Sequence, residues 1–283
     1  MEILETNSAL QFYGMPTNTR FVYLDTDAFR HLGTAFVTGH LSEELGDRIV
    51  LSPITFLELY SQLTLPGSEG EKTWSIVKAL PNYVNRQNVS LLPWWTAAAS
   101  GVLEKVDEDL AKEIQEALNV CLNSKSFDEI HDDAGKLKDM LDSEREKQRS
   151  NFEELMRLYK ECVKDRAKFK EVCAGAIANR VGVEINNGSL AKILDDLSAH
   201  IEYQEERVKL AVNDANYRPR INDYFDSLQL VYLADPKLHF CTCDRGYAKR
   251  IKTSPQLTRI HTTTIGKLTD RERAEKLLAC IVR

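Results

Sequence analysis

The sequence contains no run approaching the ~18 apolar residues of a membrane-spanning helix, so no membrane partner is expected. Its opening, "MEILETNSAL", is acidic and lacks the basic start of an export signal. The six cysteines (Cys121, Cys162, Cys173, Cys241, Cys243 and Cys280) show no zinc-like pairing. Reduced thiols in a cytoplasmic protein are the expectation. Proline is missing from all 125 residues between Pro93 and Pro219, although the chain has eight. Proline breaks helices, so this gap, rich in Ala, Glu, Lys and Leu, predicts a long helical stretch. A large excess of positive charge is also missing. The net charge is −6, which argues against indiscriminate nucleic-acid binding.

What is present divides unevenly. Residues 237–283 hold eleven Lys/Arg against four Asp/Glu, or +7, which leaves −13 for the remainder. One polyanion-facing surface on an acidic body fits that asymmetry. The flanks of the proline-free gap read as short strands alternating with helices. "FVYL" (21–24), "NVSLLPW" (88–94), "KLHFCTCD" (237–244) and "LTRIHTTTI" (257–265) are the strands. "SPITFLELYSQL" opens a helix with Ser52 as its cap and Pro53 at the first position. "NDYFDSLQLVYLA" (222–234) and "TDRERAEKLLACIV" (269–282) are amphipathic, the second opened by a Thr269–Glu272 capping box. This alternation is that of an α/β protein with a parallel sheet. Within the gap, Val102, Val106, Leu110, Ile114 and Leu118 recur four apart along one helix face. The expected organisation is an α/β domain of residues 1–96 and 218–283, interrupted by an all-helical insertion, 97–217, with ends that meet the core close together.

"FVYLDTDAF" (21–29) places Asp25 and Asp27 at the end of a buried strand, where a carboxylate is costly to desolvate unless something compensates it. Ligands of open parallel sheets sit beyond the strands' carboxyl ends, and Asp244 lies at such an end too. Glu58 falls in the first turns after Pro53, and Asp223 and Asp226 open the helix after Pro219. Acids from four distant segments thus point to one rim. Crowded carboxylates repel, and a divalent cation resolves the repulsion; oxygen-only ligands favour Mg²⁺ or Mn²⁺.

"LDTDAF", "SPITFLELY", "NDYFDSLQLVYLA" and "CTCDRGY", in this order, resemble the four acidic motifs of the PIN-domain nucleases, a family that includes toxin ribonucleases. The resemblance covers residues 20–95 and 219–268 and leaves the helical insertion unaccounted for. It implies a PIN-like parallel sheet flanked by helices. It also implies hydrolysis of RNA phosphodiesters at a Mg²⁺ or Mn²⁺ site held by Asp25, Glu58, Asp226 and Asp244. Thr242 matches the hydroxyl residue that often precedes the last acid. Asp27 stands where the family commonly has Asn or Ser, so Asp27 and Asp223 are further candidate ligands. A DNA substrate is the alternative within this class. Outside it, the alternative is a non-catalytic PIN-like module that binds RNA or a protein partner, or a second copy, through the insertion.

The basic residues Arg245, Lys249, Arg250 and Lys252, with Arg218 and Arg220, are candidate phosphate contacts. "GSEGEKT" (67–73) has the wrong spacing for a phosphate loop and reads as a surface loop. His131 in "EIHDD" lacks a second histidine one turn away, so it reads as a solvated helix position. Cys241 and Cys243 read as packed small hydrophobes, and Trp94 and Trp95 as packing anchors rather than base-stacking groups.

Overall fold

A computed structural model describes residues 20–40, 49–63, 67–83, 109–130, 156–217, 221–263 and 268–282, with isolated positions 65, 91, 92, 99, 139, 146 and 153. Arg218, Arg220, His131, Trp94 and Trp95 lie outside the described residues.

Phe21–Leu24 (β1) consists of four apolar residues, all buried, as a strand covered on both faces requires. Ile49–Val50 (β2), Leu238–Thr242 (β3) and Ile260–Thr262 (β4) join it. Among the described residues the four form one sheet in the order β2-β1-β3-β4, parallel throughout. The α/β expectation holds. β1 and β3 pair in register from Phe21 with Leu238 to Leu24 with Cys241. The chain moves one way from β1 to β2, then crosses β1 to continue as β3 and β4. The point where this direction reverses lies between β1 and β3, above Leu24 and Cys241. Leu91 makes a parallel bridge to Leu51, the described remnant of the strand expected over 88–94.

Helices cover both faces. Ser52 caps Pro53–Leu63, accepting from the Ile54 amide at 3.2 Å. The Thr269 hydroxyl and Glu272 carboxylate exchange the expected capping contacts, 3.3 and 2.8 Å, ahead of Asp270–Val282. Ile221–Gln229 is α-helical, but its continuation tightens to a 3₁₀ turn over Leu230–Ala234. The strand expected from 257 begins only at Ile260. Ser254 caps a 3₁₀ turn, Pro255–Arg259, with Pro255 at its start, and this turn occupies the residues before it.

The loop expected at Gly67–Thr73 is instead the first part of a helix, Ser68–Lys78. Gly67 enters it at φ 72°, a left-handed conformation that glycine adopts without a steric penalty. Gly70 lies so close to the Leu65 carbonyl and the Phe127 ring that a Cβ would collide with both. Its glycine therefore serves close packing, not loop flexibility.

In the proline-free stretch the described helices include Asp109–Asn123, Arg166–Val181, Asn187–Asp196 and Ser198–Asn213. Ile114 and Leu118 are buried, as their spacing predicts. Ser198–Asn213 packs on Arg245–Arg250 and on both 3₁₀ turns, despite its charge. Glu202, Glu205 and Arg207 are buried within it. Among the described residues no helix is long and apolar enough to cross a membrane.

Candidate active site

The cleft above the β1–β3 junction has a volume of about 440 Å³. Asp25, Thr26, Asp27, Glu58, Ser61, Gln62, Asp226, Asp244 and Tyr247 line it. The four acids expected from sequence, and Asp27, therefore meet at one place. Asp223 is not among the lining residues.

Each acid is positioned by a separate device. Asp25 follows β1 directly and caps the helix Thr26–Val37, its Oδ1 accepting from the Ala28 amide at 2.7 Å. Its Oδ2 accepts from the Thr242 hydroxyl and from the Cys243 amide, the latter at 3.2 Å. Three donors thus occupy three of the ~4 lone-pair sites of the carboxylate, leaving one on Oδ1. Thr242 also accepts from the Asp244 amide at 2.9 Å, so one hydroxyl joins the ends of β1 and β3. Asp244 caps Arg245–Arg250, its Oδ1 accepting from Gly246 at 2.6 Å.

Glu58 and Asp226 are set by a shared crosslink. Thr55 donates to the Leu24 carbonyl at 2.7 Å, and Gln229 donates to the Thr55 hydroxyl at 3.0 Å. Thr55 stands one turn before Glu58, and Gln229 one turn after Asp226. Fastening Thr55 and Gln229 over the end of β1 therefore turns Glu58 and Asp226 toward the same space. Thr26 donates to Glu58, and Tyr247 donates to the Asp226 backbone carbonyl at 2.9 Å.

The electrostatics are strained. Burial pushes the Asp25 carboxyl up to about 7, with Asp27 adding repulsion, although the Thr242, Ala28 and Cys243 donors pull the other way. Burial also pushes Asp226 up to about 7, followed by the charge of Glu58 and, more weakly, of Asp244 and Asp25; Arg207 opposes them. The Asp226 carboxylate accepts no hydrogen bond from any described residue. Asp223, one turn earlier, is paired with the buried guanidinium of Arg207 and accepts from the Tyr217 hydroxyl at 3.2 Å.

None of the described basic candidates, Arg245, Lys249, Arg250 and Lys252, is among the residues lining the cleft. Arg245 and Lys249 are exposed on the helix that Asp244 caps. Arg250 leans over the Tyr203 ring, and Lys252 pairs with Glu206 at 3.5 Å. Cys241 is buried and Cys243 half-buried, and all six cysteines are free thiols. Arg207 and Tyr247 were not legible as site residues. Arg207 sits in a charged helix with nothing to mark its burial, and Tyr247 had no signal beyond adjacency to Asp244.

All the charged donors in the cleft are carboxylates, the chemistry of a Mg²⁺ or Mn²⁺ site rather than a zinc site. In the present arrangement, however, no three His, Cys, Asp or Glu side chains among the described residues converge closely enough to hold an ion. The acids share a cleft without closing on a single point. No protein-family model, curated protein or solved structure matches the chain significantly.

Proposed function

We propose that the chain is a PIN-like, metal-dependent endonuclease that hydrolyses phosphodiesters of RNA, with DNA as the alternative substrate. One observation carries this reading. The half-buried carboxylate of Asp226 has no hydrogen-bond donor among the described residues, yet it faces Glu58, Asp244 and Asp25. A carboxylate in that position needs a cation, or a proton in its place, to offset its charge. The donor chemistry suits Mg²⁺ or Mn²⁺ once the acids draw together: Asp226 would offer its carboxylate, Asp244 its Oδ2, and Asp25 one remaining lone pair on Oδ1. Glu58, held by Thr26, completes the set. When bound, the ion lowers the pKa of an attacking water and offsets charge on the phosphodiester.

The chain's own groups hold the geometry. Thr242 and the Ala28 and Cys243 amides fix the Asp25 carboxylate, and the Thr55–Gln229 crosslink keeps Glu58 and Asp226 facing each other. Buried Tyr247 lines the cleft and holds the Asp226 backbone through its hydroxyl. Without a cation, Asp25 and Asp226 each retain a proton on a carboxyl oxygen up to about pH 7.

A second reading, a non-catalytic module that binds RNA or a protein partner through the helical insertion, is favoured by the open spacing of the acids. Incubating the protein with labelled RNA and DNA, in Mn²⁺ or EDTA and beside Asp25→Asn, separates the two. The nuclease reading expects Mn²⁺-dependent cleavage that Asp25→Asn abolishes. Binding without cleavage in Mn²⁺ favours the module, and cleavage by Asp25→Asn at the wild-type rate refutes the site.

A further inference from the structure

Behind the acidic cleft, two guanidinium groups share one aromatic ring. The guanidinium carbons of Arg207 and Arg250 lie 5.0 and 5.3 Å from the centroid of Tyr203. Tyr203 stacks on Tyr247 with centroids 5.1 Å apart, and Tyr247 lines the cleft. The Arg207 side chain is 5 % exposed. Asp223 takes only its Nη2; Nε and Nη1 have no acceptor among the described residues. Arg250 is half-buried and sits over Gly246, where a Cβ would collide with its Nη1. Its one acceptor among the described residues is the Tyr203 hydroxyl, at a long 3.4 Å. Asp223 offsets the charge of Arg207, but the donors left over on both guanidinium groups suit an anion with several acceptor oxygens.

We propose that Arg207 and Arg250 form a phosphate-binding pair, the subsite for a backbone phosphate next to the one in the cleft. The inference rests on the reading of the cleft as a phosphodiester site. A phosphate oxygen pair matches the planar fork of a guanidinium, and a tetrahedral anion can engage two forks at once. Arg250 is the more exposed of the two, so a strand would enter past it. Helix Ser198–Asn213, from the proline-free stretch, thereby contributes to substrate binding.

The test is anisotropy of a short, labelled single-stranded RNA in EDTA, across a salt series, with wild type, Arg207→Lys and Arg250→Lys. Lysine keeps the charge and loses the fork. Each variant is expected to bind about tenfold more weakly. The log–log salt slope is expected to stay at the wild-type value, because lysine retains the charge that displaces a counterion. Thermal melts confirm that the variants are folded, and Arg250→Lys, nearer the surface, decides the matter should Arg207→Lys unfold. No binding by wild type, or wild-type affinity in the folded variants, overturns the proposal. Weaker cleavage in Mn²⁺ with unchanged binding does so too, because Arg207 would then only position Asp226. The nuclease reading fails separately, by absent Mn²⁺-dependent cleavage in a wild-type protein that still binds RNA through this pair.

Discussion

Asp223 and Asp226 stand three residues apart on one helix, so periodicity alone gives them the same face. Their partners separate them. Asp223 neutralises Arg207, whereas Asp226 enters the cleft without a donor among the described residues. Asp226→Asn is therefore expected to lower kcat at least ~10²-fold, the scale of one lost transition-state contact, with little loss of stability. Asp223→Asn should do the reverse. It leaves a buried guanidinium without its counter-charge and should cost about 3 kcal/mol, read as a lower denaturant midpoint. A pH dependence follows from the raised acids. Between the unfolded value of 3.8 and about 7, native Asp25 and Asp226 hold protons that the unfolded chain has released. Stability in EDTA is thus highest at low pH within this window and falls as pH rises through it. Calorimetric melts from pH 4.5 to 7.5 should show this fall, and Asp226→Asn should reduce it.

At the scale of elements, the opening motif was legible because its chemistry is local. A buried apolar tetrapeptide, a cap aspartate and a second strand ending at Asp244 can all be read in a line. The crosslink that aims Glu58 and Asp226 was not, since Thr55 and Gln229 are 174 residues apart and neither is unusual in its own helix. The helix at Ser68–Lys78 was misread as a loop because two glycines suggested flexibility, when Gly70 answers to a tertiary contact. The role of Glu202 was equally hidden. It accepts from the backbone amides of Lys252, Thr253 and Ser254 at 2.8–3.0 Å, pinning the turn that leads to β4. Burial opposes its ionisation, yet those amides outweigh the burial and hold its pKa below the ordinary value. Glu202→Gln should destabilise the fold by about 1–3 kcal/mol at pH 7. The difference from wild type should shrink as pH falls below the ordinary glutamate range, where the carboxylate's advantage is lost. Gly70→Ala should also lower the melting temperature, since the Leu65 carbonyl is backbone and cannot move aside cheaply.

For the molecule as a whole, the coarse class followed from the order of strand and helix patterns, and the parallel sheet places the acids where that class binds ligands. The proline-free stretch was read as an insertion set apart from the α/β domain. Its last helix is built into the sheet's surroundings, because buried Glu202 and Arg207 each find a partner there. A Gly/Ser linker in place of residues 97–217 removes Glu202 and Arg207 together. The expected outcome is loss of the cooperative thermal transition, whereas a version that keeps 198–217 retains those contacts.

The central claim is that the cleft between β1 and β3 is a divalent-cation site centred on Asp226. Isothermal titration of the metal-free protein with Mn²⁺ at pH 7.5 tests it directly, independently of any substrate. Saturable binding is expected in wild type, with release of protons from Asp25 and Asp226, and should be lost in Asp226→Asn but kept in Asp223→Asn. Absence of binding in wild type, or equal binding in both variants, would contradict it.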